Sequence, residues 1–225
     1  MNQASVLNNE ILNTDQLIEQ IVDSAEKGQS IGKWSQKAMV TIYRLLAEGK
    51  PLNPRLVAKE QKIPGFLGRH LMRLIPKKAV DYDDNGNVLA FVGLSLNETV
   101  HQLTMESKVL YTWCGFDSLF IPLLLGKDAE ISTISPNDES VSFSLIKGEF
   151  KGSEDIVMSL VFVSAHAMRK DVRAVFCHNV NFFPNRESGT RYIEQNDDLT
   201  LVSIKDALKL AHRWNNVLFP YHKVK

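Results

Sequence analysis

Val80-Asp81-Tyr82 alternates apolar and polar residues, Asp83-Asp84-Asn85-Gly86 breaks the run, and an apolar residue returns at Val88. An Asn-Gly pair between alternating segments predicts a β-hairpin. Upstream the pattern is helical. Met39, Ile42, Tyr43 and Leu46 recur at helical spacing with Gly49 just past them, the stripe and stop of a helix. Asn53-Pro54 reads as N-cap and first residue of a short helix over 54–60, and Ile63-Pro64 opens a third that Pro76 stops. Three short helices followed by a hairpin is the element order of a winged helix, which predicts a module over 35–95. An N-terminal extension, 1–34, precedes it. There, Leu17, Ile18, Ile21, Val22 and Ala25 line one face of a helix over 14–26.

From about Ser95 the composition changes. Residues 110–125 read as a buried helix ended by Gly126, and β-rich runs follow at 129–134, 141–146, 156–163 and 176–183. An amphipathic helix from Ser203 to about Phe219 closes the chain. Ser203 is its N-cap, Asp206 stands at its third position, and Ile204, Leu208, Ala211, Trp214 and Leu218 face inward. The expected fold class is α+β: a winged-helix-like helical N-terminal module packed on a mixed β-sheet domain, 96–225.

The chain of 225 residues is 44% apolar and 23% charged, enough for a sizeable core and too apolar for wholesale disorder. Lys and Arg total 26 and Asp and Glu total 26, a balance that excludes a surface built throughout for nucleic acid or anionic lipid. Between Ser35 and Ser95, ten basic residues face five acidic ones. That favours DNA binding by the helix at 64–75, whereas Asp83 and Asp84 at the hairpin tip oppose it, and the same unit also serves simply for packing. The start, Met1 to Asn9, is polar and uncharged, unlike a secretory signal. The most apolar stretch, 109–125, contains Asp117 and Pro122 and reads as core, not as a membrane span. The expected compartment is the cytoplasm.

Only two cysteines are present, Cys114 and Cys177, 63 positions apart. They make neither a disulfide framework nor a four-thiolate zinc site. In Tyr111-Thr112-Trp113-Cys114-Gly115-Phe116-Asp117 a thiol and a carboxylate stand three apart, on one face if the segment is helical. Their neighbours Trp113, Phe116, Leu119, Phe120 and Ile121 are apolar. Desolvation there disfavours the ionised carboxylate, so Asp117 is expected to hold a proton near neutrality. The alternative is that Asp117 caps a helix beginning at Ser118 and Cys114 is a small core residue. Read as a strand, Arg173-Ala174-Val175-Phe176-Cys177-His178-Asn179-Val180-Asn181-Phe182-Phe183 points Cys177 and His178 to opposite faces, which weakens a Cys–His pairing. His101, His166, His178 and His212 are scattered and read as surface or hydrogen-bonded residues. Two thiolates and one carboxylate suit a soft, two-coordinate metal with a proton source beside it. A thiol–disulfide pair is a further reading, as is a winged-helix regulator sensing a soft metal through Cys114 and Cys177.

Tyr111-x-Trp113-Cys114-x-x-Asp117-Ser118-Leu119 with Pro122 and Gly126, followed by Asp171-Val172-Arg173-x-x-Phe176-Cys177-x-x-Val180-x-Phe182-Phe183, resembles the bacterial organomercurial lyase (alkylmercury lyase) family. The resemblance spans roughly 35–219 and includes the Asp-Asn-Gly hairpin and Leu-Ser-Leu-Asn-Glu-Thr at 94–99. It implies an enzyme that protonates the carbon–mercury bond of alkyl- and arylmercury compounds, in mercury detoxification, giving hydrocarbon and Hg(II). Cys114 and Cys177 match the family's essential cysteines and Asp117 its proton-handling carboxylate, with mercury held on all three. No cofactor is implied. The implied partners are organomercurials, with cellular thiols or a mercuric reductase accepting Hg(II), and neither nucleic acid nor membrane. The 96–225 domain becomes the catalytic one, and the helical module its cover. Trp113, Tyr111, Phe116 and Phe183 are candidate walls for the organic group. Arg173 either favours a thiolate near Cys177 or forms a surface ion pair. Ser135 and His178 stand where some relatives carry extra cysteines.

Overall fold

The computed structural model describes residues 33–222 except 74, 76, 164 and 197, together with Glu19 and Val22. The helix expected over 14–26 lies otherwise outside the described residues. Val22 is buried in the main core, and Glu19 pairs with Arg213.

Helices α1 (Lys33–Leu46), α2 (Pro54–Glu60) and α3 (Gly65–Arg73) come first. Asn53 caps α2 as its sequence suggests, its side chain accepting the N–H of Arg55 at 3.0 Å. The hairpin follows as β1 (Val80–Tyr82) and β2 (Val88–Phe91). Asp83 organises its turn: one carboxylate oxygen accepts the N–H groups of Asn85 and Asn87 at 2.9 and 2.8 Å, while Gly86 supplies φ +76°. The hairpin is not a free wing. β2 pairs with β3 (Leu94–Ser95), which pairs with β5 (Lys108–Thr112), and β5 pairs with β4 (His101–Met105). β6 (Ala129–Ile134), β7 (Ser140–Ile146) and β8 (Glu149–Lys151) complete an eight-stranded sheet of order β1-β2-β3-β5-β4-β6-β7-β8.

A second sheet has order β10-β9-β11, from β9 (Val157–Val161), β10 (Phe182–Phe183) and β11 (Leu199–Ser203). Every described strand pairing is antiparallel, which corrects the mixed sheet expected from the sequence. The α+β class stands, with helices set against a large antiparallel sheet.

The segment 110–125 is half strand and half helix. β5 ends at Thr112, Cys114 occupies the N-cap, and α4 (Gly115–Leu125) follows. An apolar run this continuous carries no period that separates a buried strand from a buried helix. α4 ends where expected, at Gly126 with φ +63°. It is buried at every position but Leu125 and packs against α1, β4, β5 and α7 (Ile204–Leu218). Ser203 caps α7, accepting the N–H of Asp206 at 3.1 Å. Between β9 and β10 run α5 (Ala165–Val175) and a 3₁₀ turn, Cys177–Asn179. The strand expected over 176–183 survives only as β10. α6 (Arg186–Ile193) then leads to β11.

Candidate functional site

The start of α4 carries two of the three groups. Cys114 at the N-cap and Asp117 at the third helical position project together, as in a capping box, although the thiol makes no capping hydrogen bond. Asp117 therefore does not cap a helix at Ser118. The third group arrives on the 3₁₀ turn, which the Gly115 N–H anchors by donating to the Val180 carbonyl at 2.9 Å.

The structure brings these residues to one point. Cys114 Sγ lies 3.2 Å from Asp117 Oδ2, and Cys177 Sγ lies 3.9 Å from the same oxygen. One ligand atom from each residue falls within 4.8 Å of the others, the one such metal-ligating cluster among the described residues. Cys114, Cys177 and Asp117 are 0, 5 and 7% exposed, so the cluster is buried. Both thiols are free.

Burial dominates the electrostatics. It pushes Asp117 up to about 7, against hydrogen bonds from the Cys114 thiol and backbone and the Cys177 thiol, and against the nearby Arg173 charge. Burial also raises the Cys114 thiol well above its ordinary value, reinforced by Cys177 and Asp117. At Cys177 the hydrogen bond with Cys114 lowers the thiol, but burial and the Asp117 charge raise it overall, with Arg173 opposing them. Both thiols are thus held neutral, beside a carboxyl group that titrates near neutrality.

The β2–β3 turn closes the site from above. Gly93 takes φ +99°, and a Cβ there would stand 2.5 Å from Asp117 Cγ. The turn is fixed by Trp113, whose N–H donates to the Gly93 carbonyl at 2.9 Å, and by Tyr43, whose hydroxyl donates to the Val92 carbonyl at 2.7 Å. Tyr43 is fully buried and its phenol raised well above its ordinary value, by burial first and then by Asp117 and Cys177. Sequence reasoning missed Gly93 and Tyr43 as site residues. Val92-Gly93 between two apolar runs marks a turn, but no sequence pattern says that a carboxylate lies under it. Gly93→Ala combines a strained backbone with a collision. It should cost about 2 kcal/mol of stability and slow Asp117-dependent chemistry at least ~10-fold, read by thermal melting and single-turnover kinetics.

Arg173 forms the ion pair considered for it. Its guanidinium lies 3.5 Å from the Trp113 ring centroid and donates to Asp81 at 2.8 Å. Phe116 is core, packed on Phe120, Phe176 and Trp214. Phe183 belongs to a separate cluster with Val157 and Leu201, so it is not a wall of this site. Tyr111 is half-buried on β5. Ser135 is buried and accepts the N–H groups of Asn137 and Glu139, forming the β6–β7 turn. His178 and His212 are exposed, His101 is buried away from any metal cluster, and the His166 side chain lies outside the described residues.

A family model described as alkylmercury lyase matches residues 94–216. The chain is 27% identical over 193 residues to an alkylmercury lyase of Staphylococcus epidermidis, covering 84% of this chain and 88% of that one. It is 26% identical over 174 residues to an alkylmercury lyase of Pseudomonas putida, covering 77% and 80%. A crystal structure of the mercury-bound form of MerB2 shares the fold, with a TM-score of 0.71 at 15% identity, covering 91% of this chain and 98% of that one. No helix among the described residues is long and apolar enough to cross a membrane.

Proposed function

Because the chain belongs to the alkylmercury lyase family, we propose that Cys114, Cys177 and Asp117 are the groups that perform its reaction. The chain is an organomercurial lyase, an enzyme that cleaves carbon–mercury bonds. The observation that carries the site assignment is the contact of both thiols with one buried carboxylate oxygen.

The chemistry follows from that contact. One cysteine gives up its proton and displaces the weak ligand on R–Hg–X, leaving R–Hg–S. The second thiol passes its proton to Asp117 and its sulfur joins mercury. Extra thiolate density makes the carbon more basic. Asp117 delivers the proton to carbon, R–H departs, and Hg(II) remains on two sulfurs. Atoms balance: one hydrocarbon forms, two S–H bonds are replaced by two S–Hg bonds, and HX is released.

The helical module, 35–95, acts as cover for the 96–225 domain, as Tyr43 and Gly93 over Asp117 suggest, with 1–34 as an extension. The chain's own groups supply every proton step, which fits an enzyme that needs no cofactor. Soft thiols, or a mercuric reductase, would take Hg(II) from the sulfurs, in a cytoplasmic detoxification setting.

Asp117 must be ionised to accept a thiol proton. Single-turnover cleavage should therefore rise with pH through about 7 and level off above it, with the inflection absent in Asp117→Asn. The function itself is tested by incubating the protein with phenylmercuric acetate and excess thiol. Benzene is the expected product, and its absence overturns the assignment.

A further inference from the structure

A buried polar row crosses the large sheet, and the chemistry above does not use it. Thr112, His101 and Thr133 stand opposite one another on β5, β4 and β6. They are 0, 2 and 2% exposed. Polar groups so deeply buried are costly unless partnered, so their partners indicate what they hold in place. The Thr112 hydroxyl donates to the Cys114 carbonyl at 3.1 Å. Thr133 Oγ1 lies 2.7 Å from His101 Nδ1. The Asn181 side chain faces the ring closely enough to favour its charged form against burial.

Asn181 is itself buried and reaches the turn that carries Cys177. Its Nδ2 donates to the His178 carbonyl at 3.2 Å, and its backbone N–H donates to Ser159 Oγ at 3.0 Å. The Ser159 hydroxyl in turn donates to the Asn179 carbonyl at 2.7 Å. With the Asn181 amide committed to His178, its carbonyl oxygen is the group left to accept from the imidazole. The proton therefore sits on Nε2, and Nδ1 accepts from Thr133. Burial holds His101 down at about 4, so the ring stays neutral and keeps this tautomer around neutral pH. Thr112, at one end of the row, thus touches the Cys114 backbone, and His101, at its middle, faces the Asn181 that braces the Cys177 turn.

We propose that His101 and Asn181 are positioning residues, which act through the Cys177–Asn179 turn to hold the second thiol against Cys114 and Asp117. The inference rests on the lyase reading of the thiol pair. Capture of an organomercurial needs one thiol, whereas cleavage needs both thiols on one mercury. Groups that orient metal-binding side chains from behind typically carry about 10–100-fold. Asn181→Ala and His101→Phe should therefore slow single-turnover cleavage by ~10–100-fold. Capture should stay near the wild-type rate. His101→Gln restores an acceptor for Thr133 and a donor for Asn181, so it should recover most of the lost rate. Thr133→Val removes only the hydroxyl that fixes the tautomer, and serves as the gentler variant if a ring replacement fails to fold.

The experiment is single-turnover reaction of each purified variant with phenylmercuric acetate, measuring mercury captured and benzene released, beside a thermal melt. Slowed cleavage with normal capture, and recovery in His101→Gln, is the expected result. Benzene from wild type together with wild-type rates in Asn181→Ala and Thr133→Val overturns the positioning role alone. No benzene from wild type overturns the lyase reading, and this inference with it.

Discussion

Cys114→Ser and Cys177→Ser each lose carbon–mercury cleavage by at least about 10³-fold, the scale on which loss of a covalently acting group falls. A serine hydroxyl does not ionise near neutral pH, and its hard oxygen is a poor ligand for a soft metal. Serine nearly conserves the shape of each buried thiol, and Asp117 Oδ2 remains beside it as a hydrogen-bond acceptor. The fold should therefore persist, which circular dichroism checks. Either variant keeps one thiol and should still bind organomercurial at one equivalent per chain, without releasing hydrocarbon. Wild-type turnover in either serine variant would remove that cysteine from the mechanism.

Asp117→Asn separates binding from bond cleavage. The side chain keeps its shape and both thiols remain, so capture persists, but no carboxylate is left to move the proton. Loss of a general acid–base group lowers the chemical step by roughly 10²–10⁴-fold. The same substitution should stabilise the protein at alkaline pH. Asp117 has its folded value raised from 3.8 to about 7, so below pH 4 it is protonated in both states and costs nothing. As pH rises from 4 to 7 the unfolded chain ionises first, and the folded state loses stability, on the order of 4 kcal/mol by pH 8. Asparagine escapes that loss. Chemical denaturation should therefore show Asp117→Asn more stable than wild type at pH 8, with the difference vanishing towards pH 4. Equal stability at pH 8 would mean that the carboxyl group is not desolvated.

The sequence made some of this readable and hid the rest for physical reasons. Asn53-Pro54 and Ser203 with Asp206 are local signals, and both helix starts lie where those residues place them. The raised Asp117 value was legible because five apolar neighbours already implied burial. The division of 110–125 between strand and helix was not, since both are buried throughout and neither leaves a period. The Cys177 segment looked like a strand through its aromatic and β-branched residues. Side-chain hydrogen bonds from Ser159 and Asn181 hold it in a tight turn instead, and Ser159 stands 20 positions from the carbonyl it binds. The same applies to Gly93, whose requirement for a missing side chain comes from Asp117, 24 positions away in the chain. His101 looked incidental because its partners, Thr133 and Asn181, are supplied only by strand register and tertiary packing.

The central claim is that two thiols and one carboxylate cleave the carbon–mercury bond by delivering a solvent-exchangeable proton to carbon. Single-turnover reaction of the wild-type protein with phenylmercuric acetate in D₂O tests it directly, with the hydrocarbon analysed by mass and the mercury on the protein counted. The account predicts one equivalent of monodeuterated benzene and one mercury held per chain by both cysteines. Unlabelled benzene, biphenyl, or mercury bound with no hydrocarbon released would contradict it.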